Sequence, residues 1–330
     1  MGNNVKLRIG ILGCANIAVR SMIPELHRHP DFTLVAIASR SLDKAGPIAL
    51  QYGCEPMSYD QLVESPDIDA VYIPLPTGLH AEWVGKCLAA GKHVLCEKSL
   101  GCTLGEVQQM VALAQQRKLL LMENFQFRFH SQHAFVKGLL ASGELGEVRC
   151  FRASFGFPPF PDGLANIRYQ PSLGGGALLD AGAYTLKATT FMLGGGFEVR
   201  AATLRMSKEF GVDLGGAIFL DNGEGLVSET AFGFDNYYQC SYEIWGSKGK
   251  VTAKRAFTVP PGFTPEIVVE TAAGCETKAM PADNHFEKML THFSGTIKKS
   301  LFEEEYEQNR VQAKLVQAVR ERALQQGKSL

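Results

Sequence analysis

Short apolar runs alternate with amphipathic stretches of helical periodicity from the N terminus to about residue 122. This alternation indicates parallel strands that are joined by helical crossovers. The predicted strands are residues 7–12, 33–38, 70–73, 93–96 and 119–122. The predicted helices between them are residues 17–27, 42–52, 80–90 and 104–116. The sequence therefore predicts an α/β fold that begins with a doubly wound parallel sheet.

The pattern changes after Phe127, where a predicted helix at 132–141 is followed by alternating strand-like runs. These runs are residues 148–156, 198–206, 216–220, 225–232 and 237–244, and one helix, 176–193, interrupts them. Turn sequences at 221–223 and 246–249 separate neighbouring runs, as in antiparallel hairpins. We therefore predict a second α/β domain on a large open sheet, mainly antiparallel or mixed, which ends in a charged helix at 303–325.

The length of 330 residues exceeds that of a usual single domain, and the change of pattern divides it into domains 1–125 and 126–330. Lysine and arginine (33) nearly balance aspartate and glutamate (34), which argues against nucleic acid or an anionic membrane as a partner. No apolar run reaches the roughly 18 residues that span a bilayer. We expect a cytoplasmic protein with small-molecule partners.

The cysteines and histidines do not form a recognisable metal motif. The eight cysteines include no CxxC pair, and His130 with His133 is the only close pair of histidines that could sit on one helical face. A zinc site needs three or four converging ligands. We therefore expect reduced thiols and no metal site.

The first predicted strand leads into a turn with Gly13, Ala15 and Ala18 at the three small-residue positions of a dinucleotide fingerprint. Small residues allow backbone N–H groups and the next helix to approach a pyrophosphate. We expect Gly13, Ala15, Asn16 and Ile17 to bind the cofactor. Because only one of the three positions is glycine, the motif alone also fits a plain strand-to-helix turn.

The second predicted strand ends in Ser39-Arg40-Ser41, where a site for NAD usually carries an acidic residue for the ribose hydroxyl. Without that carboxylate a 2′-phosphate is not repelled, and Arg40 with Ser39 could bind it. The sequence therefore favours NADP over NAD. The alternative is that Arg40 is a solvated loop charge.

Three further segments, residues 74–80, 97–100 and 174–184, follow the turn in order. Together these motifs resemble the Gfo/Idh/MocA family of oxidoreductases over essentially the whole chain. The resemblance implies a Rossmann domain that binds the cofactor, and an α/β domain that binds substrate and whose open sheet often supports oligomers, so that a dimer or tetramer is expected. The cofactor contacts that it adds are Pro74, Leu75, Thr77, His80, Glu97, Lys98, Asn124 and Arg168.

The resemblance also implies the catalytic residues Lys98, Tyr184 and Asp180. Lys98 matches the lysine of the family's Glu-Lys-Pro motif, and an ammonium there can stabilise a developing alkoxide. Tyr184 stands where most members have a histidine, which resembles the branch of dihydrodiol dehydrogenases, sugar oxidoreductases and nucleotide-sugar 3-ketoreductases. A phenol can donate a proton to a nascent alkoxide. Asp180, four residues earlier, is expected on the same helical face.

Two positions depart from the family pattern. Ser99 replaces the proline of Glu-Lys-Pro, which bears on the backbone geometry that aims the lysine. Lys187 replaces an acidic residue three places after the acid/base position, which could suit an anionic substrate or could point to solvent. Arg128 and His130 are further substrate candidates, although interdomain packing also accounts for their segment.

The leading hypothesis is an NADP-dependent reductase of a keto sugar that could be nucleotide-linked. Oxidation of an aldose or a trans-dihydrodiol uses the same chemistry. A cofactor-binding regulator without turnover need not keep Lys98 and Tyr184. A glycosidase that retains NAD is disfavoured by Ser39 and Arg40.

Overall fold

Six parallel strands form the first sheet in a computed structural model that describes residues 6–327. The strands are β1 (Leu7–Leu12), β2 (Phe32–Ala38), β3 (Glu55–Met57), β4 (Ala70–Ile73), β5 (His93–Glu97) and β6 (Leu121–Asn124). Their order is β3-β2-β1-β4-β5-β6, and every neighbouring pair is parallel. The predicted doubly wound sheet is confirmed. The order reverses between β1 and β4, where such sheets bind ligands at the carboxyl ends of the strands.

Helices connect these strands. They are α1 (Ile23–Arg28), α2 (Leu42–Tyr52), α3 (Tyr59–Glu64), α4 (His80–Ala89) and α5 (Leu104–Arg117). A π-helical turn, Ala18–Met22, precedes α1. Capping boxes at Ser58 and Thr103 fix where α3 and α5 begin. The sequence does not predict β3 and α3, because three and six residues are too few for a clear periodicity.

Eight strands form a second, mixed sheet. They are β7 (Val148–Gly156), β8 (Glu198–Met206), β9 (Asp213–Asp221), β10 (Val227–Gly233), β11 (Gln239–Gly246), β12 (Gly249–Ala253), β13 (Glu266–Thr271) and β14 (Gly274–Ala279). The order is β14-β13-β12-β11-β7-β10-β9-β8. The pair β7 and β10 is parallel and the other pairs are antiparallel. The prediction of a large mixed sheet is confirmed, although β12, β13 and β14 are not predicted.

This unit also contains α6 (Ser131–Ser142), which precedes β7, and α7 (Ala183–Leu193), which lies between β7 and β8. The helix α7 packs on the sheet, where Thr189 Oγ1 lies 2.8 Å from Ser228 Oγ of β10. On its other side, Gln312 Nε2 donates to the carbonyl oxygen of Ala183 at 2.9 Å. These contacts bury α7 and fix the segment that carries Tyr184.

The described residues divide into two units, one with the chain up to Asn124 and Phe286–Arg310, the other with Phe125–His285 and the chain from Val311. The predicted division instead places 286–310 in the second domain. Two last helices explain the difference, α8 (His285–Lys299) and α9 (Glu303–Gly327). Within the first unit, the ring of Phe293 stacks near Phe32, and Tyr306 Oη donates to the carbonyl oxygen of Leu119 at 2.5 Å.

The helix α8 is amphipathic but is not predicted from the sequence, whereas α9 is predicted at 303–325. No helix in residues 6–327 has the length and apolar character that crossing a membrane requires.

Candidate active site

The turn after β1 is tight because of Gly13. Its φ angle is +130°, and a Cβ atom there would lie 2.9 Å from Leu75 Cδ2. The Gly13 N–H donates to the carbonyl oxygen of Ala38 at 3.0 Å. Asn16 is exposed, and Ala15 and Ile17 are partly exposed. The structure therefore brings the predicted turn beside Pro74 and Leu75, at the point where the strand order reverses.

Two cations, Arg40 and Lys44, follow β2 in sequence. Arg40 is exposed and Ser39 is buried. Burial raises the pKa of the Tyr59 phenol, and the charge of nearby Arg40 opposes that rise. Burial likewise raises the pKa of the Cys14 thiol, which the charge of Lys44 opposes. Lys44 is thus a second cation near the turn. It is not predicted from the sequence, because it lies within helix α2 and outside the motif.

The imidazole of His80 is buried against backbone carbonyl groups. Its side chain is fully buried, and its Nδ1 and Nε2 atoms each lie 2.8 Å from a carbonyl oxygen, of Ser99 and Leu75 respectively. Burial lowers the pKa of the His80 imidazole. The ring links the segment after β4 to the carbonyl group of Ser99, and the expected contact between His80 and the cofactor stays a prediction. Thr77 in the same segment remains partly exposed.

Lys98 follows β5 and is partly exposed, and the Lys98–Ser99 peptide bond is cis. Beside it, Glu97 Oε1 accepts hydrogen bonds from Tyr72 Oη at 2.8 Å and Asn124 Nδ2 at 2.7 Å. Burial raises the pKa of the Glu97 carboxyl, and both hydrogen bonds oppose the rise. Asn124 is fully buried and its amide donates to Glu97, and its predicted contact with the cofactor stays a prediction.

In the second unit, a carboxylate that is distant in sequence contacts the start of the helical segment with Asp180 and Tyr184. Asp213 Oδ2 accepts the Leu178 N–H at 2.6 Å. Gly176 has a φ angle of +116°, and a Cβ atom there would lie 2.4 Å from Asp213 Oδ1. Burial raises the pKa of Asp213, and its backbone hydrogen bonds oppose the rise. Asp213 lies far away in sequence, and no local motif identifies it.

Asp180 lies in a π-helical turn, Leu178–Gly182, which precedes α7. Its Oδ2 atom is 2.5 Å from Arg168 Nε. The charge of Asp180 is the largest cause that raises the pKa of Arg168, and Tyr184 adds to it. The structure therefore groups Arg168, Asp180 and Tyr184. The contact of Arg168 with the cofactor, expected from the resemblance, stays a prediction.

Tyr184 is 5% exposed and is surrounded by aromatic rings. The centroids of these rings lie 5.1 to 5.9 Å from its own, and they belong to Phe125, Phe127, Phe155 and Phe257. Gln126 Nε2 donates to the Tyr184 hydroxyl oxygen at 3.3 Å. The phenol ring is thus held among aromatic rings, and its oxygen accepts a hydrogen bond from Gln126. Gln126 is not a predicted site residue.

The three weaker substrate candidates have different surroundings. Lys187 is buried, with Nζ 5.6 Å from the centroid of the Phe125 ring, so it does not point to solvent. His130 is buried, and its Nδ1 accepts the Gln132 N–H at the start of α6. Arg128 is partly exposed and lies over the Phe129 ring.

Comparison with known proteins decides the family. Residues 7–125 match the model of the Gfo/Idh/MocA oxidoreductase family with its NAD-binding Rossmann fold, and residues 133–252 match the family's C-terminal domain. The chain belongs to the Gfo/Idh/MocA family. It is therefore an oxidoreductase, and the resemblance inferred from the sequence motifs is confirmed.

Two relatives of the chain are named for reactions of sugars. The chain is 44% identical to dTDP-3,4-didehydro-2,6-dideoxy-alpha-D-glucose 3-reductase of Saccharopolyspora spinosa over 88% of each chain. It is 33% identical to D-xylose 1-dehydrogenase (NADP(+)) 2 of Haloferax volcanii, over 88% of this chain and 89% of that one.

The solved structure of the 3-ketoreductase KijD10 from Actinomadura kijaniata, in complex with NADP and TDP-benzene, matches with a TM-score of 0.92 and 40% identity. The match covers 96% of this chain and 97% of KijD10. Structures of KijD10 variants with one tyrosine or one lysine replaced have also been solved.

Proposed function

We propose that this chain reduces a keto group of a nucleotide-linked sugar and that its cofactor is NADPH. The observation that carries the proposal is the similarity, over 96% of the chain, to a 3-ketoreductase that was solved with NADP and a TDP derivative. The 44% identity to a dTDP-sugar 3-reductase supports the same substrate class.

The residues of the first unit fit this cofactor. A Cβ atom at Gly13 would fill the space beside Leu75, so the turn admits close approach only with glycine. Arg40 and Lys44 supply positive charge at the end of β2, where a 2′-phosphate would lie, and Ser39 supplies a hydroxyl. When bound, NADPH supplies a hydride for the carbonyl carbon of the sugar.

In the proposed reaction, Lys98 and Tyr184 both act on the carbonyl oxygen of the sugar. The Lys98 ammonium stabilises the negative charge that develops on that oxygen. Tyr184 donates its hydroxyl proton to the same oxygen, and the aromatic cage keeps bulk water away from the phenol. Arg168 and Asp180 form an ion pair near Tyr184 and hold the turn from which α7 starts.

Oxidation of an aldose is the second candidate, because the chain is 33% identical to a D-xylose 1-dehydrogenase. The reaction would then run in the opposite direction, and Tyr184 would accept the proton of a sugar hydroxyl. Loss of catalysis, as in a regulator, is not favoured, because both Lys98 and Tyr184 are present.

A substrate panel tests these alternatives. The purified protein would be mixed with NADPH and dTDP-3,4-didehydro-2,6-dideoxy-alpha-D-glucose, the compound in the name of the Saccharopolyspora relative, or with NADP and D-xylose. We expect rapid oxidation of NADPH by the keto sugar and slow reaction with D-xylose. Faster reaction with D-xylose would favour the second candidate, and no turnover of any sugar would contradict the proposed function.

We also propose that the chain forms a homo-oligomer, a dimer or tetramer, in the cytoplasm through the open face of the second sheet. Trp245 is 50% and Phe219 is 37% exposed, and both lie on the face that carries Arg152 and its ion pair with Glu229. Exposed aromatic residues beside arginine are typical of protein interfaces. Trp245→Glu should lower the molar mass measured by light scattering, and a monomeric wild-type protein would contradict this part of the proposal.

A further inference from the structure

Gln126 lies beside the hydroxyl of Tyr184 and takes no part in the reaction proposed for Lys98 and Tyr184. Its Nε2 atom donates to the Tyr184 hydroxyl oxygen at 3.3 Å, and its side chain is 7% exposed. Its neighbours in sequence, Phe125 and Phe127, pack on the ring of the same tyrosine at centroid distances of 5.5 and 5.8 Å. One short segment therefore contacts both the ring and the hydroxyl of Tyr184.

This contact determines which way the phenol can donate. A tyrosine hydroxyl has one hydrogen and accepts hydrogen bonds through its lone pairs. Because the Gln126 amide supplies a hydrogen to the oxygen, the hydrogen of the hydroxyl must be directed toward another acceptor. An acid that protonates a substrate needs this arrangement, in which the proton is not held by its neighbour.

Packing alone does not explain an amide at this position. The Oε1 atom of Gln126 is buried and has no hydrogen-bond partner among residues 6–327. An apolar side chain of the same length would fill the space without burying an unsatisfied carbonyl. The amide N–H is therefore the part of Gln126 that the surroundings use.

We infer that Gln126 is a positioning residue for proton transfer. Its N–H fixes the rotation of the Tyr184 hydroxyl, so that this hydroxyl presents its hydrogen to the carbonyl oxygen of the sugar. The proton passes from Tyr184 to that oxygen, and Gln126 keeps both of its amide hydrogens. The inference rests on the proposed function, in which Tyr184 is the proton donor.

A double-mutant cycle tests the inference. Gln126→Met keeps the length of the side chain but removes the donor, and it would be made in the wild-type chain and in Tyr184→Phe. The rate of single-turnover NADPH oxidation would be measured with dTDP-3,4-didehydro-2,6-dideoxy-alpha-D-glucose, together with the NADPH affinity. We expect Gln126→Met to slow the wild-type reaction about tenfold, with the NADPH affinity unchanged within about twofold, because a misdirected proton slows chemistry and not cofactor binding.

In the Tyr184→Phe background, Gln126→Met should have almost no further effect, because the hydroxyl on which it acts is gone. Gln126→Glu should be slower than Gln126→Met, because a carboxylate accepts the phenol hydrogen and holds it. An equal effect of Gln126→Met in both backgrounds, or a rate for Gln126→Glu near that of the wild type, would overturn this inference alone. An inactive wild-type protein, or Tyr184→Phe with unchanged rate, would overturn the proposed function as well.

Discussion

The Nε atom of Arg168 lies 2.5 Å from Oδ2 of Asp180, one turn before Tyr184. Both partners are partly buried, with 37% and 20% of their side-chain surfaces exposed. Removal of one partner therefore leaves the other charge partly buried without its counter-charge. Asp180→Asn keeps the shape and removes the negative charge. We expect it to lower turnover about tenfold, as a misplacement of the catalytic segment would. The double variant Asp180→Asn with Arg168→Met should be no slower than the slower single variant, and multiplied losses would show that the two residues act separately.

Arg40 provides the test of cofactor choice. Arg40→Ala should weaken NADPH binding by roughly 1 to 3 kcal/mol, the scale of a lost charge-assisted hydrogen bond, and leave NADH binding nearly unchanged. Affinities would be measured by fluorescence titration with both cofactors. Lys44→Ala is the matched variant for the second cation. Equal losses for NADPH and NADH in Arg40→Ala would refute the assignment.

Lys98 is assigned to charge that exists mainly in the transition state. Lys98→Met, which keeps the length of the side chain, should lower turnover on the order of a hundredfold or more while NADPH still binds. Lys86→Met is a control, because Lys86 pairs with Glu82 on the exposed face of α4. Near-native turnover in Lys98→Met would exclude this lysine from the chemistry.

Tyr184→Phe separates proton donation from packing, because it removes the hydroxyl and keeps the ring within its aromatic cage. A general acid should lose about a hundred- to ten-thousandfold in the single-turnover rate. Substrate and cofactor affinities would be measured in parallel. A loss confined to substrate affinity would indicate that the phenol only positions the sugar.

Buried histidines predict sensitivity of the second unit to acid. The His133 ring is fully buried between the Tyr242 hydroxyl and the Ala256 carbonyl, and burial lowers its pKa to about 3. Burial also lowers the pKa of His285 to about 4. The pKa of a histidine in the unfolded chain is about 6.5. Below that pH the unfolded state therefore binds more protons than the folded state. The free energy of unfolding should therefore fall as the pH drops below about 6.5, by roughly 2 kcal/mol per such histidine at about pH 5.

Urea unfolding at pH 7 and pH 5 would measure this effect. His133→Gln can replace both hydrogen bonds without titrating, so its unfolding free energy should change less between the two pH values than that of the wild type. His27→Gln is the control, because His27 is exposed. The same pH dependence in His133→Gln and the wild type would assign the acid sensitivity to other groups.

Local sequence patterns predict the elements that have strong periodicity and the site residues that lie in motifs. The strands β1 and β4 are predicted at their observed bounds, because both are continuous apolar runs. The edge strand β14 is mostly exposed and polar, so its sequence looks like a loop. Its pairing with β13 supplies the hydrogen bonds that define it.

The site is predictable only in part, for a related reason. Gly13 and Arg40 lie in motifs whose chemistry depends on near neighbours in sequence. The role of His80 depends on Leu75 and Ser99, which the fold brings to its two ring nitrogens. Asp213 and Gln126 contact Leu178 and Tyr184 from other parts of the chain. Such contacts between distant residues leave no periodic signal in a single sequence.

The contact between Gly176 and Asp213 restricts which substitutions this protein can accept at either position during evolution. Any side chain at position 176 would meet the Asp213 carboxylate, and shortening that aspartate to make room would remove the acceptor for the Leu178 N–H. Neither position can therefore change first without weakening the helical turn that precedes α7. A saturation library at position 176 should return only glycine among active clones. An evolutionary path that replaces the pair must change both positions together or cross a poorly folding intermediate.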